Sequence, residues 1–218
     1  MPTTFSRRTF LHATGATTAA AALGLSPARA VTAMPPRIGA HAPAIRATDI
    51  LGAPVDLDRL SGRLVVLEWT NAGCPFVRKH YDSGNMQALQ AEATAAGATW
   101  ISVISSAPGQ QGHGTVADTQ ARAQNEKWSA SHVVLDPSGS IGRAYAAKTT
   151  PHMFIIGADG TLLYEGGIDD RPTADPADIA GARNHVREAL SEIASGKPVS
   201  VASTRPYGCS VKYAPGKD

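Results

Sequence analysis

The chain has 218 residues, of which 43% are hydrophobic and 17% are charged, with 15 prolines and two cysteines. This length predicts one domain with its own hydrophobic core. The two cysteines are too few for a disulfide-stapled miniprotein, and the scattered prolines exclude a coiled coil. The sequence also has no strongly apolar run of eighteen residues, which excludes a membrane-spanning bundle.

The formal net charge of +2 is unevenly distributed along the chain. The first thirty residues carry three arginines and no acidic residue, so the rest of the chain has 17 basic and 18 acidic groups. This nearly neutral body has no electrostatic preference for nucleic acid, and we exclude that class of partner.

The first thirty residues have the features of an export signal. A twin-arginine pair at residues 7–8 precedes a weakly apolar stretch rich in alanine, threonine and glycine. A small-x-small cleavage site follows at residues 28–30. We predict a twin-arginine signal peptide over residues 1–30 and export of the folded protein to the bacterial periplasm, a compartment that favours disulfides.

Apolar runs and turn signals divide the remaining chain into alternating strands and helices. In chain order, we predict short extended segments near residues 42–43 and 55, strands at 64–70, 99–104 and 132–135, helices at 75–96 (interrupted at 82–84), 115–128 and near 141–145, a hairpin of 152–156 with 161–164, and a closing helix at 176–194.

This order of elements predicts an α/β fold. Strands joined through helices are typical of a parallel arrangement, and the Asp-Gly turn at residues 159–160 adds an antiparallel hairpin. We therefore predict a central mixed β-sheet flanked by helices on both faces. The expected organisation is a lead-in at residues 31–37, one domain at 38–196, and a C-terminal tail at 197–218 that carries Cys209.

Cys74 lies where a buried strand ends and a helix begins. Pro75 suits the first helical position, and the unpaired backbone N–H groups of a helix start favour a negative charge on sulfur. Arg78 and Lys79 follow within one turn and add positive charge. We predict a reactive Cys74 with a pKa below its ordinary value. The alternative is an inert buried cysteine that acts as a small hydrophobe.

Three segments together resemble the thioredoxin-like superfamily. They are Gly-Cys-Pro-Phe-Val-Arg-Lys-His-Tyr at residues 73–81, Thr-Pro-His at 150–152 and Asp-Gly at 159–160. Within the superfamily, the chain resembles the redoxin (AhpC/TSA-type) group, with the peroxiredoxin-like 1 family as the nearest match. The resemblance extends over about residues 38–213 and implies a thioredoxin-like fold.

The resemblance also implies roles for two residues before the hairpin. In that superfamily the proline at the position of Pro151 is cis and packs against the reactive cysteine, so Thr150 and Pro151 are expected to support Cys74. An ordinary trans turn proline is the alternative.

Two positions near Cys74 depart from the patterns of related groups. Val77 stands where a thioredoxin-type oxidoreductase has its second cysteine, so an adjacent resolving thiol is lacking. Asn71 stands three residues before Cys74, where peroxiredoxins have threonine. Efficient peroxide reduction is therefore not expected, although Asn71 as a substitute hydrogen-bond donor is a hypothesis.

Cys209 is the other thiol of the sequence, and three interpretations of the pair remain open. The cysteines form a reversible disulfide in which Cys209 resolves, a permanent structural disulfide, or no bond to each other. A copper site made by Cys74, Cys209 and a histidine is a variant of the third, since thiolate and imidazole suit copper.

From these observations we predict an exported redoxin that performs thiol-disulfide redox chemistry through Cys74, with Cys209 as the resolving cysteine. The expected partners are protein thiols or disulfides, or small oxidants. No cofactor is expected apart from the copper hypothesis. The alternatives are a peroxide-reducing antioxidant and a copper-binding or redox-sensing module without turnover.

Overall fold

The computed structural model describes residues 1–2 and 35–215, so residues 3–30 of the predicted signal peptide lie outside the described residues. The strands are β1 (Arg46–Thr48), β2 (Pro54–Asp56), β3 (Val65–Trp69), β4 (Thr99–Ile104), β5 (His132–Leu135), β6 (Thr149–Thr150), β7 (His152–Ile156), β8 (Leu162–Gly166) and β9 (Cys209–Ser210). The helices are α1 (Pro75–Asp82), α2 (Asn85–Ala95), α3 (Val116–Asn125), α4 (Ser140–Ala144) and α5 (His185–Ala194), with 3-10 turns at Leu57–Leu60 and Pro176–Gly181.

The central sheet of the described residues has the strand order β5-β4-β3-β7-β8. β3 pairs in parallel with β4, and β4 pairs in parallel with β5. The hairpin of β7 and β8 joins the other side of β3 in antiparallel orientation. This mixed sheet has the predicted α/β, thioredoxin-like architecture, in which β3 is the central strand and is buried on both faces.

Alternate residues of β3 divide the hydrophobic core between the two faces of the sheet. Leu67 and Trp69 face one cluster, against which α4 packs. Val66 faces the other cluster, which is covered by α1, α2 and α5 and also contains Cys74. Helices therefore flank both faces, as predicted. Among the described residues, the helices are all too short or too polar to span a membrane.

The interruption predicted in the helix at residues 75–96 is confirmed. Gly84 has a φ of 76° between α1 and α2, a conformation that glycine adopts without strain. The single closing helix predicted at residues 176–194 is wrong. A 3-10 turn ends before Ala182, which is extended, and Asn184 then caps α5 by accepting a hydrogen bond from the Arg187 backbone.

Candidate functional site

Cys74 is the N-cap residue of α1 and follows the carboxyl end of β3 after a turn of four residues. Its backbone is extended, with φ −86° and ψ 120°, and Pro75 occupies the first helical turn as predicted. The Cys74 side chain has 0% of its surface exposed. The sulfur therefore lies at the positive end of the helix and inside the apolar cluster of that face.

Asn71 shapes the turn that leads into Cys74. Its Oδ1 accepts a hydrogen bond from the Gly73 backbone at 2.8 Å, and its Nδ2 donates to the Gln111 carbonyl at 3.1 Å. Gln111 in turn donates from Nε2 to the Gly73 carbonyl at 2.9 Å. The Asn71 amide thus connects the loop after β4 to the Cys74 turn, with one of its two N–H donors engaged there.

Thr150 connects the two cysteines. The Cys74 thiol donates a hydrogen bond to the Thr150 carbonyl, with a Sγ–O distance of 3.0 Å. The Thr150–Pro151 peptide bond is cis, as the resemblance implied. β6 and β9 are antiparallel, and Thr150 is the direct strand partner of Cys209. The tail therefore brings Cys209 beside Cys74, and both thiols are free in this structure.

Gly208 allows the tail to approach Thr150. Its φ is 130°, which side-chain-bearing residues rarely adopt, and a Cβ at this position would overlap the Thr150 carbonyl oxygen. Only a glycine before Cys209 therefore fits the observed pairing of β6 with β9.

The two cysteines differ in pKa. Burial raises the pKa of Cys74, but hydrogen bonds from Cys209, the Thr150 side chain and the Val77 backbone outweigh it, so the pKa lies below its ordinary value. Burial together with the neighbouring Cys74 sulfur raises the pKa of Cys209 to about 11. Cys74 is thus the sulfur that ionises first, and Cys209 retains its proton.

The cationic contribution expected from Arg78 and Lys79 is not observed. Arg78 is exposed and forms an ion pair with Asp82 at 2.9 Å. Lys79 is completely buried and points to Asp169, with a Nζ–Oδ2 distance of 3.5 Å. Neither residue is among the causes that lower the Cys74 pKa. The prediction rested on their closeness to Cys74 in sequence, whereas α1 directs both side chains toward aspartates and away from the sulfur.

Lys79 belongs to a buried polar cluster that the sequence did not indicate. Its Nζ also donates to the Arg171 carbonyl at 2.8 Å. The hydroxyl of Tyr207 donates to Asp169 Oδ1 and lies 3.2 Å from His80 Nε2. No sequence motif marks Tyr207 or Asp169 as part of a site. Gly208 could have been singled out from sequence, because it is a glycine directly before Cys209.

The copper hypothesis requires a third ligand beside Cys74 and Cys209. Within the part of the chain that the structure describes, no group of three or more histidine, cysteine or acidic side chains is placed to hold a metal ion.

Comparison with known proteins adds a family and an export signal. Residues 38–165, more than half of the chain, match the AhpC/TSA family. Residues 4–24 match the signal sequence of the twin-arginine translocation pathway, which indicates export to the periplasm. No sequence among curated proteins matches the chain significantly.

Solved structures share the fold. An uncharacterized conserved protein from Geobacillus kaustophilus is 22% identical, with 83% of this chain and 94% of that chain covered and a TM-score of 0.73. A hypothetical protein from Sinorhizobium meliloti is 21% identical, with 83% and 96% covered and a TM-score of 0.68. With the family match over residues 38–165, these findings identify the chain as an exported member of the AhpC/TSA redoxin family.

Proposed function

We propose that this exported redox protein carries out thiol-disulfide exchange, with Cys74 as the attacking sulfur and Cys209 as the resolving thiol. The observation that carries this proposal is the arrangement of both thiols around Thr150. Cys74 donates to the Thr150 carbonyl, and Cys209 is the strand partner of the same residue. The lowered pKa of Cys74 supports its assignment as the attacking sulfur.

In the reducing direction, the Cys74 thiolate attacks one sulfur of a substrate disulfide. A mixed disulfide forms between Cys74 and the substrate, and the second substrate sulfur leaves as a thiolate that takes up a proton. Cys209 then loses its proton and attacks the Cys74 sulfur, which releases the second substrate thiol. The substrate gains two electrons, and the protein is left with a Cys74–Cys209 disulfide that an external dithiol must reduce.

The pKa difference suits this order of events. Cys74 is ionised while Cys209 is still a thiol, so Cys209 stabilises the Cys74 thiolate before the reaction. Once Cys74 is in a mixed disulfide, its negative charge is gone. That charge is one of the causes that raise the Cys209 pKa, so Cys209 then ionises more readily.

The proposed substrates are disulfides or thiols of other proteins, or small oxidised sulfur compounds. Peroxide reduction receives less support, because Asn71 stands where peroxiredoxins have threonine, and its amide holds the turn before Cys74 through bonds to Gln111 and Gly73. With peroxide, the first product would be a sulfenic acid on Cys74, which Cys209 would convert to the same disulfide with release of water.

The test uses a Cys209→Ser variant with a Cys74→Ser variant as its matched control. Each reduced protein is mixed with oxidised glutathione or, separately, with hydrogen peroxide and a sulfenic-acid trap, and is then mapped by mass spectrometry. We expect a stable glutathione adduct on Cys74 of Cys209→Ser and much slower modification of Cys209 in Cys74→Ser. Equal reactivity of the two variants would contradict the proposal, and rapid trapping of a sulfenic acid without a glutathione adduct would favour the peroxide-reducing alternative.

A further inference from the structure

The tail that carries Cys209 is held by the same helix that begins at Cys74. Tyr207 lies two residues before Cys209, and its ring contacts α1 through an edge-to-face arrangement with Phe76 at 5.9 Å. The Lys79 ammonium lies 5.7 Å from the centre of the Tyr207 ring. Thus α1 provides the attacking cysteine at its start and a binding surface for the tail within its first two turns.

The Tyr207 hydroxyl completes a directed chain of hydrogen bonds. Burial lowers the pKa of His80 to about 4, so its ring is neutral at pH 7. His80 Nδ1 lies 2.8 Å from Asn85 Nδ2, a donor, so the ring proton is on Nε2. His80 therefore donates to the Tyr207 oxygen, and Tyr207 donates to Asp169.

Asp169 makes the position of the Tyr207 hydroxyl specific, because the Asp169 carboxylate is buried and requires hydrogen-bond donors. Lys79 supplies the countercharge on Oδ2, while Tyr207 and the Arg171 backbone donate to Oδ1. If the tail moves away, Oδ1 loses its phenol donor in a buried setting. An incompletely bonded buried charge is costly, so the cluster favours the tail position seen here.

We propose that Tyr207 is a positioning residue that holds Cys209 against Cys74 and keeps Cys74 covered between reactions. This inference rests on the proposed function, since it gives the resolving thiol its place. Cys74 is completely buried, whereas Cys209 and Tyr207 are half-buried parts of the covering tail. A large substrate therefore reaches Cys74 only when the tail lifts, and the Tyr207 contact returns Cys209 for the resolving step.

The test is a Tyr207→Phe variant, which keeps the ring and removes the hydroxyl. Its matched control is Tyr213→Phe, because Tyr213 lies in the same tail but donates to the Ala147 carbonyl instead of the α1 cluster. Each protein is equilibrated with reduced and oxidised glutathione. Two protein thiols become one disulfide as one oxidised glutathione becomes two reduced molecules, so the equilibrium reports the effective concentration of Cys209 at Cys74.

We expect Tyr207→Phe to lower that effective concentration at least about tenfold, because it removes a hydrogen bond to a charged group. Tyr213→Phe should change it less than about threefold, as for a neutral hydrogen bond at a site that does not contact α1. Equal effects of the two variants, or no effect of Tyr207→Phe, would overturn the inference.

A second measurement separates failure of this inference from failure of the proposed function. In the reduced proteins, iodoacetamide modification of Cys74 is followed by mass spectrometry. We expect Tyr207→Phe to react faster at Cys74 than wild type does, even if no enzymatic exchange is found. An unchanged Cys74 rate would overturn the inference while leaving the trapping experiment with Cys209→Ser unaffected.

Discussion

The two cysteines belong to regions that are held in place by different means. Cys74 sits between the central strand of the sheet and the first turn of α1, inside a hydrophobic cluster. Cys209 sits in a half-buried tail that is held by its strand pairing with Thr150, by the Tyr207 contact and by backbone hydrogen bonds of Val211 and Lys212. The position of the Cys74 sulfur is therefore set by the central sheet and α1. The position of the Cys209 sulfur depends on the contacts that the tail makes with the rest of the domain.

Among the substitutions considered, Gly208→Ala is expected to displace Cys209 from Cys74 most strongly. The new Cβ would overlap the Thr150 carbonyl oxygen and force a strained backbone, at a cost of about 2–4 kcal/mol. Because the strain can be relieved by moving β9, we expect most of it to appear as displacement of Cys209. The glutathione equilibrium should show a more than tenfold weaker Cys74–Cys209 disulfide.

Gly196→Ala is the matched control for this substitution. Gly196 also has a positive φ, of 67°, but no atom lies within 4 Å of its added Cβ. This variant should lose about 1 kcal/mol of stability and keep the wild-type disulfide equilibrium. If the two variants had the same disulfide equilibrium, the close approach of Gly208 to Thr150 would not matter for the pair.

Acidic conditions should lower the free energy of unfolding through His80, the α1 residue that contacts the Tyr207 hydroxyl. Burial lowers its folded pKa to about 4, whereas the unfolded chain has the ordinary value of about 6.5. Between these values the unfolded chain binds more protons, so the free energy of unfolding falls as the pH drops from about 6.5 to 4. The loss reaches about 3 kcal/mol and is absent above pH 7.

Denaturant titrations of wild type and His80→Gln at several pH values measure this contribution. The difference between the two proteins separates His80 from other titrating groups, such as the buried Glu68, whose pKa burial raises. The variant should lose less stability than wild type between pH 6.5 and 4. Parallel curves for the two proteins would contradict the assignment of a neutral, buried His80.

The strands and the helix start around Cys74 could be predicted from the sequence, because local patterns determine them. The apolar run of β3, the helix start at Pro75 and the Asp-Gly hairpin each have a signal within a few neighbouring residues, and all three are present in the structure. Sequence order likewise predicted a thiol at the edge of the sheet.

The contacts that hold the tail could not be predicted from the sequence. Lys79 meets Asp169 and Tyr207 across about 90 and 130 positions of sequence, and no periodicity connects them. Their meeting depends on how the tail folds back over α1. For the same reason, the positive charge of Lys79 was assigned to Cys74, its neighbour in sequence, rather than to its partner in space.

A Thr150→Val substitution sharpens the account of the Cys74 pKa. Among the described residues, Thr150 Oγ1 is buried without a hydrogen-bond partner while Cys74 is protonated, and it lowers the Cys74 pKa because ionised sulfur can accept its proton. The variant should therefore raise the Cys74 pKa while leaving the free energy of unfolding unchanged or slightly higher. Rates of alkylation against pH measure the first effect, and denaturant titration measures the second.

Thr70→Val provides the control for that experiment. Thr70 Oγ1 is also buried and, in the part of the chain that the structure covers, lacks a partner, but Thr70 is not among the causes of the Cys74 shift. An equal rise of the Cys74 pKa in both valine variants would mean that the Thr150 hydroxyl has no specific role.

The smallest effect is expected for Arg78→Gln. Arg78 and Asp82 form an exposed ion pair, so its loss should change the free energy of unfolding by no more than about 0.5 kcal/mol. The Cys74 pKa should stay at its wild-type value, in contrast to the expectation from sequence. A clear rise in that pKa would restore Arg78 to the group that activates Cys74.

The most direct test of the whole account is a pH titration of the reduced protein followed by thiolate absorbance. Wild type should show a transition below the ordinary thiol pKa that is lost in Cys74→Ser and moves upward in Cys209→Ala, because position 209 then has no side-chain donor for Cys74. A wild-type protein whose first thiol ionises at or above the ordinary value would contradict the central claim that the tail lowers the Cys74 pKa.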